Sequence, residues 1–385
     1  MLLRQLNRGA FPGGQLVVRV GGEEVLNLAV GVARRPSGND RRAVPVTAAT
    51  LFQVMSASKP VIAFAVAVLE DRGLLDVSQP VAEYAPEFAR AGKSEITVLD
   101  VLTHRAGVQV PRLWRDPSLW TDWHEVQEEI WKTRPRYQRG TLCYQPWEFG
   151  SILAEVVQRV SGQSLPEFAK AVLPGFGAAL RFMVASDEVP AVAYSCWLGR
   201  AHYRLAGEDV GARFESVNNA AETLTNLVAG ASMLTTASAL AEFYEMIVDE
   251  GVVGSGDRLI SRDTLDAYLR PVVTGRDRAS GNPMTSGRGF MPGWRGPSLY
   301  GWWGTRDCVG HAGGFSTVAF CDRRQGLAAA IVTNGNRGFG DMLRRFAPLG
   351  SAIRKDFAGN PPSARSRSNE QPPHQKRTDS PIPSD

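Results

Sequence analysis

Cysteine is scarce in this chain: 4 of 385 residues, and Cys143, Cys196, Cys308 and Cys321 stand far apart with no C-x-x-C pair. Neither a disulfide framework nor a zinc site is indicated, which leaves buried thiols. Long apolar runs are missing as well. The longest, Val61–Leu69, ends at Glu70-Asp71, far short of the roughly 20 residues that a membrane-spanning helix needs. The opening residues, Met1-Leu-Leu-Arg-Gln-Leu-Asn-Arg-Gly9, lack the apolar stretch and small-residue cleavage site of a secretory leader, so a cytoplasmic location is expected. Nor does one sign of charge dominate: the formal net charge is +4 and the basic residues are scattered, so neither nucleic acid nor an anionic membrane is indicated as a partner. Positive charge is mostly arginine, which makes each lysine worth inspecting. With 43% apolar and 21% charged residues, the chain can bury a full core as one large domain or two packed lobes.

Hydrophobic periodicity places the elements. Gln15–Val20 and Glu24–Ala33 read as strands around Gly21-Gly22, a hairpin signal; Phe315–Cys321 and Leu327–Thr333 read as a second hairpin around Asp322–Gly326. Between them the pattern is mainly helical. Trp147–Ser161 carries apolar residues at helical spacing, and Ser164-Leu-Pro-Glu167 is a capping box that opens another helix. Thr236–Glu250, Ser261–Leu269 and Gly338–Phe357 are further helices. Strands at both chain ends with helices inserted between them predict an α+β fold, in which an antiparallel sheet is completed by distant segments and flanked by helices. We expect one domain over 1–358, with a sheet lobe at about 1–55 and 256–358 and a mainly helical lobe at about 56–255. Beyond it, 359–385 is rich in Pro, Ser and charge and is expected to be a disordered tail.

Ser56-Ala-Ser-Lys59 lies where Leu51–Met55 meets the apolar run Pro60–Leu69. If a helix begins at or just before Ser56, Lys59 shares its face one turn on and its amine reaches the Ser56 hydroxyl. A serine hydroxyl needs a neighbouring base to act as a nucleophile, and lysine serves as one when burial lowers its pKa. Ser and Lys three apart arise about once by chance in a chain this long, so the pair needs company. Two further segments supply it. Tyr144-Gln-Pro146 sits on a loop before the helix Trp147–Ser161, and Gly310-His-Ala-Gly-Gly-Phe315 runs into a strand with glycines that permit close backbone approach.

In this order, the three pieces resemble the serine β-lactamase-related superfamily, in particular its class C-like branch of esterases, D-Ala-D-Ala peptidases and β-lactamases. Ser56–Lys59 matches its S-x-x-K motif, Tyr144-Gln-Pro146 partly matches Y-x-N, and His311-Ala-Gly313 matches the K-T-G or H-x-G motif. Connecting segments such as Leu69–Asp76, Val98–Gly107 and Ala229–Thr236 look similar too, so the resemblance covers about 12–357. It implies the β-lactamase/transpeptidase-like fold and a serine hydrolase that needs no metal or other cofactor. Ser56 would attack an acyl carbonyl, with Lys59 and Tyr144 exchanging protons, while the backbone N–H groups of Ser56 and Gly314 hold the oxyanion. His311, Gly313, Gln145 and Trp147 would bind substrate.

Departures from the family pattern narrow the substrate. Pro146 stands where an asparagine is usual, so the side-chain amide that holds a lactam amide is missing. His311 replaces a lysine and carries less permanent positive charge for a carboxylate. A carboxylesterase on small or medium acyl esters fits these changes; a β-lactamase, a D-Ala-D-Ala peptidase, a transacylase and a non-catalytic binding relative are the alternatives. Trp114, Trp120, Trp123 and Trp131 could line an acyl pocket or form the core of a helical lobe. No G-x-S-x-G elbow is present, which sets the α/β-hydrolases aside, and a triad of Ser56, His104 and Asp100 is the other arrangement to be tested.

Overall fold

Leu16, Val18 and Val20 face one side of a sheet and Val17 the other, as the two-residue period of a strand requires. This division runs through the whole sheet. The computed structural model describes residues 1–36, 42–176, 179–200, 204–205, 208–209, 211, 213–314 and 316–357. Its main sheet has seven strands: β1 (Gly13–Val20), β2 (Glu23–Arg34), β3 (Val44–Pro45), β4 (Met291–Pro292), β5 (Cys308–Gly313), β6 (Thr317–Asp322) and β7 (Leu327–Thr333). Their order across the sheet is β4-β5-β6-β7-β1-β2-β3, antiparallel at every step. The first hairpin closes through Gly21 and Gly22, both at positive φ (60° and 90°), the two-residue turn whose twist suits a hairpin. The second hairpin joins β6 to β7; Phe315, expected at its start, lies outside the described residues, as does the expected tail at 359–385. Leu16 pairs with Ile331 across β1 and β7, so the two chain ends share the sheet centre.

Six helices do most of the covering: α1 (Lys59–Asp71), α2 (Glu148–Ser161), α3 (Leu165–Val172), α4 (Ala237–Val248), α5 (Arg262–Leu269) and α6 (Phe339–Asp356). On one face of the sheet, Met342, Phe346, Leu349 and Ile353 of α6 pack against Leu16, Val18, Phe320 and Ile331. On the other face Ala328 and Ala330 are small, which lets α4 approach closely with Leu240, Phe243 and Ile247. Capping follows the sequence: the Thr236 side chain accepts from Ala239 N, Ser261 from Thr264 N, and Ser164 and Glu167 form the reciprocal box. Helix α1 is buried on every side from Lys59 to Leu69, so its apolar run is the centre of the larger core. The four cysteines are free and buried. The chain adopts the β-lactamase/transpeptidase-like fold.

One feature of the connecting region escapes periodicity. Phe52–Gln53, Leu234–Thr235 and Leu180–Arg181 form a small three-stranded antiparallel sheet of two-residue strands. Val54 N donates to Met233 O at 2.9 Å, so this small sheet fixes the chain just before Ser56.

Candidate active site

Ser56 lies in a 3₁₀ turn, Met55–Ser58, which feeds directly into α1 at Lys59. The turn is entered through Met55 at φ 46°, a left-handed conformation that a non-glycine side chain seldom adopts. Pro60 lies in the first turn of α1, where its missing N–H is no loss. Lys59 Nζ then lies 3.1 Å from Ser56 Oγ and donates to the carbonyls of Pro146 (2.7 Å) and Gly230 (3.0 Å). Burial draws the Lys59 pKa down to about 7, with the Glu148 carboxylate opposing the shift.

The acceptor geometry around that amine is set by close packing. A Cβ on Gly150 of α2 would stand 2.3 Å from the Ala229 carbonyl, so glycine there admits the 229–230 turn and with it the Gly230 carbonyl. Pro146 needs no side-chain amide to reach Lys59, because its backbone oxygen does so. Burial raises the Tyr144 phenol pKa, the Ser56 hydroxyl partly offsets the rise, and the Asp277 carboxylate adds to it. Asp277 also fixes the loop from 133 residues away, its Oδ1 accepting from Tyr144 N at 2.7 Å. An open groove of about 560 Å³ lined by Arg276, Asp277, Arg278 and Gly281 flanks this anchor.

Strand β5 closes the far side. A Cβ on Gly313 would sit 1.8 Å from Val54 O and 2.8 Å from Ala57 N, so the close approach allowed by this glycine is to the turn that carries Ser56. Gly314 has φ 48°, and a Cβ there would stand 1.8 Å from Met55 Sδ. The His311 ring centroid is 6.4 Å from that of Tyr144, and burial together with the Lys59 charge takes its pKa down to about 3. The imidazole is therefore neutral at any ordinary pH.

The remaining candidates divide. Gln145 is fully enclosed, and its amide donates to Val108 O at 3.2 Å, which makes it a support for the Tyr144 loop. Trp147 stacks at 5.7 Å from Trp120 beside a cavity of only about 10 Å³. Trp120 and Trp131 are buried and Trp123 packs on the core, donating to Glu155 at 3.0 Å; the Trp114 side chain lies outside the described residues. The triad of Ser56, His104 and Asp100 does not form. Asp100 accepts from Thr97 and Arg139 to cap the helix Val98–Leu102, while His104 Nδ1 accepts from Gln145 N. His104 is nevertheless close by, its ring 4.6 Å from Tyr144, with burial and Lys59 holding its pKa well below the usual value. Among the described residues no group of three or more His, Cys, Asp or Glu is placed to hold a metal ion, and no helix is long and apolar enough to cross a membrane.

With this geometry in hand, comparison with known proteins is direct. The family model described as Beta-lactamase matches residues 2–350. The chain belongs to the beta-lactamase family. Within this beta-lactamase-fold serine hydrolase family, the chain is 27% identical over 344 residues to the esterase/beta-lactamase LipL of Mycobacterium tuberculosis, covering 84% of this chain and 77% of LipL. It is 28% identical over 169 residues to the esterase EstB of Burkholderia gladioli, covering 40% of this chain and 42% of EstB. Among solved structures, a penicillin-binding protein homologue from Caulobacter crescentus superposes with TM-score 0.77 at 27% identity, over 92% of this chain and 95% of that one. A family VIII carboxylesterase gives 0.76 at 26% identity, over 90% and 95%.

Proposed function

We propose that this beta-lactamase family member is a carboxylic ester hydrolase that works through an acyl-enzyme on Ser56. The observation that carries the reading is the environment of Lys59: two carbonyls and one hydroxyl around a fully buried amine. A neutral amine has two N–H donors and one lone pair, so the carbonyls take the donors and the lone pair faces Ser56 O–H. Lys59 is then the base and Tyr144, with its raised pKa, the proton donor. In acylation the Ser56 proton passes to Lys59 as the Oγ–carbon bond forms, and the backbone N–H groups of Ser56 and Gly314 hold the oxyanion. As the carbon–oxygen bond to the alcohol breaks, Tyr144 protonates the departing oxygen and recovers its proton from Lys59. Water completes the cycle: one of its protons passes to the Lys59–Tyr144 pair and returns to Ser56 as the acid leaves.

Ester rather than lactam chemistry is supported by the backbone role of Pro146, the neutral His311 and two relatives, the esterase EstB and the family VIII carboxylesterase. His311 and Gly313 line the site; we assign Gln145 to positioning the loop and Trp147 to its wall. Rates on 4-nitrophenyl butyrate and on a chromogenic cephalosporin, for the wild type and Ser56→Ala, test the reading. Faster ester hydrolysis that disappears in Ser56→Ala is expected; equal or faster cephalosporin hydrolysis would make the protein a β-lactamase.

A further inference from the structure

His311 faces the same side of β5 as Gly313, since residues two apart on a strand share a face, and Gly313 abuts the nucleophile turn at Val54 and Ala57. The imidazole therefore projects into the Ser56 site beside Tyr144. Its Nδ1 lies 2.6 Å from the Ala312 carbonyl oxygen. A carbonyl only accepts, so Nδ1 carries the hydrogen and the neutral ring presents a lone pair at Nε2. That atom is shielded from solvent and has no hydrogen-bond partner among the described residues. A buried acceptor left unmatched is unfavourable, and such atoms in native proteins ask for an explanation.

We propose that His311 Nε2 is a specificity-determining acceptor for a hydroxyl on the alcohol half of the substrate, so that the preferred esters are monoesters of diols or polyols with a free hydroxyl beside the ester oxygen. The inference rests on the roles proposed above for Ser56 and Tyr144. Gly314 N takes the carbonyl oxygen and Tyr144 protonates the departing one, so a group beside Tyr144 meets the alcohol. A carboxylate there would face a lone pair without a proton between them. An ammonium would add charge next to Lys59 in a buried site. A neutral hydroxyl satisfies Nε2 without either penalty.

The test compares kcat/KM of the full chain on 2-hydroxyethyl butyrate and on propyl butyrate, whose terminal methyl takes the place of the hydroxyl and lacks the donor. The wild type is expected to favour the hydroxyethyl ester about tenfold. In His311→Leu the ratio falls to within about twofold, and His311→Gln, whose amide oxygen is again an acceptor, recovers part of it. Stoichiometric labelling of Ser56 by a fluorophosphonate is measured in parallel. Full labelling with a wild-type ratio near one overturns the role of His311 and leaves the hydrolase reading standing. No labelling of wild-type Ser56 overturns that reading, and this inference with it. A wild-type preference that persists unchanged in His311→Leu assigns the hydroxyl to another group and overturns the proposal, and His311→Gln keeps the test decisive should the leucine variant fail to fold.

Discussion

Lys59 and Lys93 are both fully shielded from solvent, yet their amines meet different partners. Lys93 donates to three carbonyls, those of Arg90 (2.7 Å), Trp131 (2.7 Å) and Thr133 (2.8 Å). Three acceptors and no donor require three N–H bonds, so Lys93 is held as an ammonium that ties two helical segments together. Lys59 meets two carbonyls and a hydroxyl, and a hydroxyl can donate as readily as accept. Burial pulls both pKa values down, to about 8 for Lys93 and about 7 for Lys59. Under the proposed mechanism, what separates a structural lysine from a base is the identity of the third partner.

Removing each amine breaks the comparison most sharply. Lys59→Met should lower kcat/KM for 4-nitrophenyl butyrate about a thousandfold while the fold persists, since it deletes the proposed base and a buried ionisable group together. Lys93→Met should leave kcat/KM of the folded protein within about threefold, and instead lose about 2–3 kcal/mol in urea unfolding because three carbonyls are orphaned. A Lys93 variant with normal stability and collapsed kinetics would reverse the two assignments. Tyr144→Phe comes next: it keeps the ring packing against His104 and removes the proposed proton donor, so kcat should drop about a hundredfold, and less for esters with good leaving groups such as nitrophenol.

Stability against pH reads the same amine by another route. An unfolded Lys59 holds its proton to about 10.5 and the folded one only to about 7, so folding expels a proton between those values. Relative to Lys59→Met, the wild type should therefore gain stability as pH rises from 7 toward 10.5 and be at its weakest below 7. Denaturation curves of both proteins across that range give the difference, and a flat one would mean that Lys59 titrates normally.

Much of this was legible in the sequence, for identifiable reasons. Strands long enough to show alternation, such as Gln15–Val20 and Leu327–Thr333, and helices with cap residues, such as Ser164–Glu167, announce themselves locally. Ser56 and Lys59 were readable because one turn of chain joins them. What stayed hidden depends on the backbone or on distant partners. The Pro146 and Gly230 carbonyls carry no residue signature, and the close approach that Gly150 permits appears only in the fold. Asp277 holds Tyr144 across 133 residues, and nothing in the sequence around it reveals that task. Met55 is an ordinary apolar residue whose left-handed φ appears only in the fold. His104 looked like a conceivable triad member, but the Asp100 carboxylate is already committed to Thr97 and Arg139.

The central claim, that a neutral Lys59 activates Ser56, is tested most directly by the rate of Ser56 acylation as a function of pH, followed by fluorophosphonate capture with peptide mapping. The account predicts a single label on Ser56 whose rate rises with pH, one proton being lost at a midpoint of about 7, and a rate in Lys59→Met that no longer follows that titration. A label on another residue, or a wild-type rate that keeps climbing to the ordinary lysine range near 10.5, would contradict it.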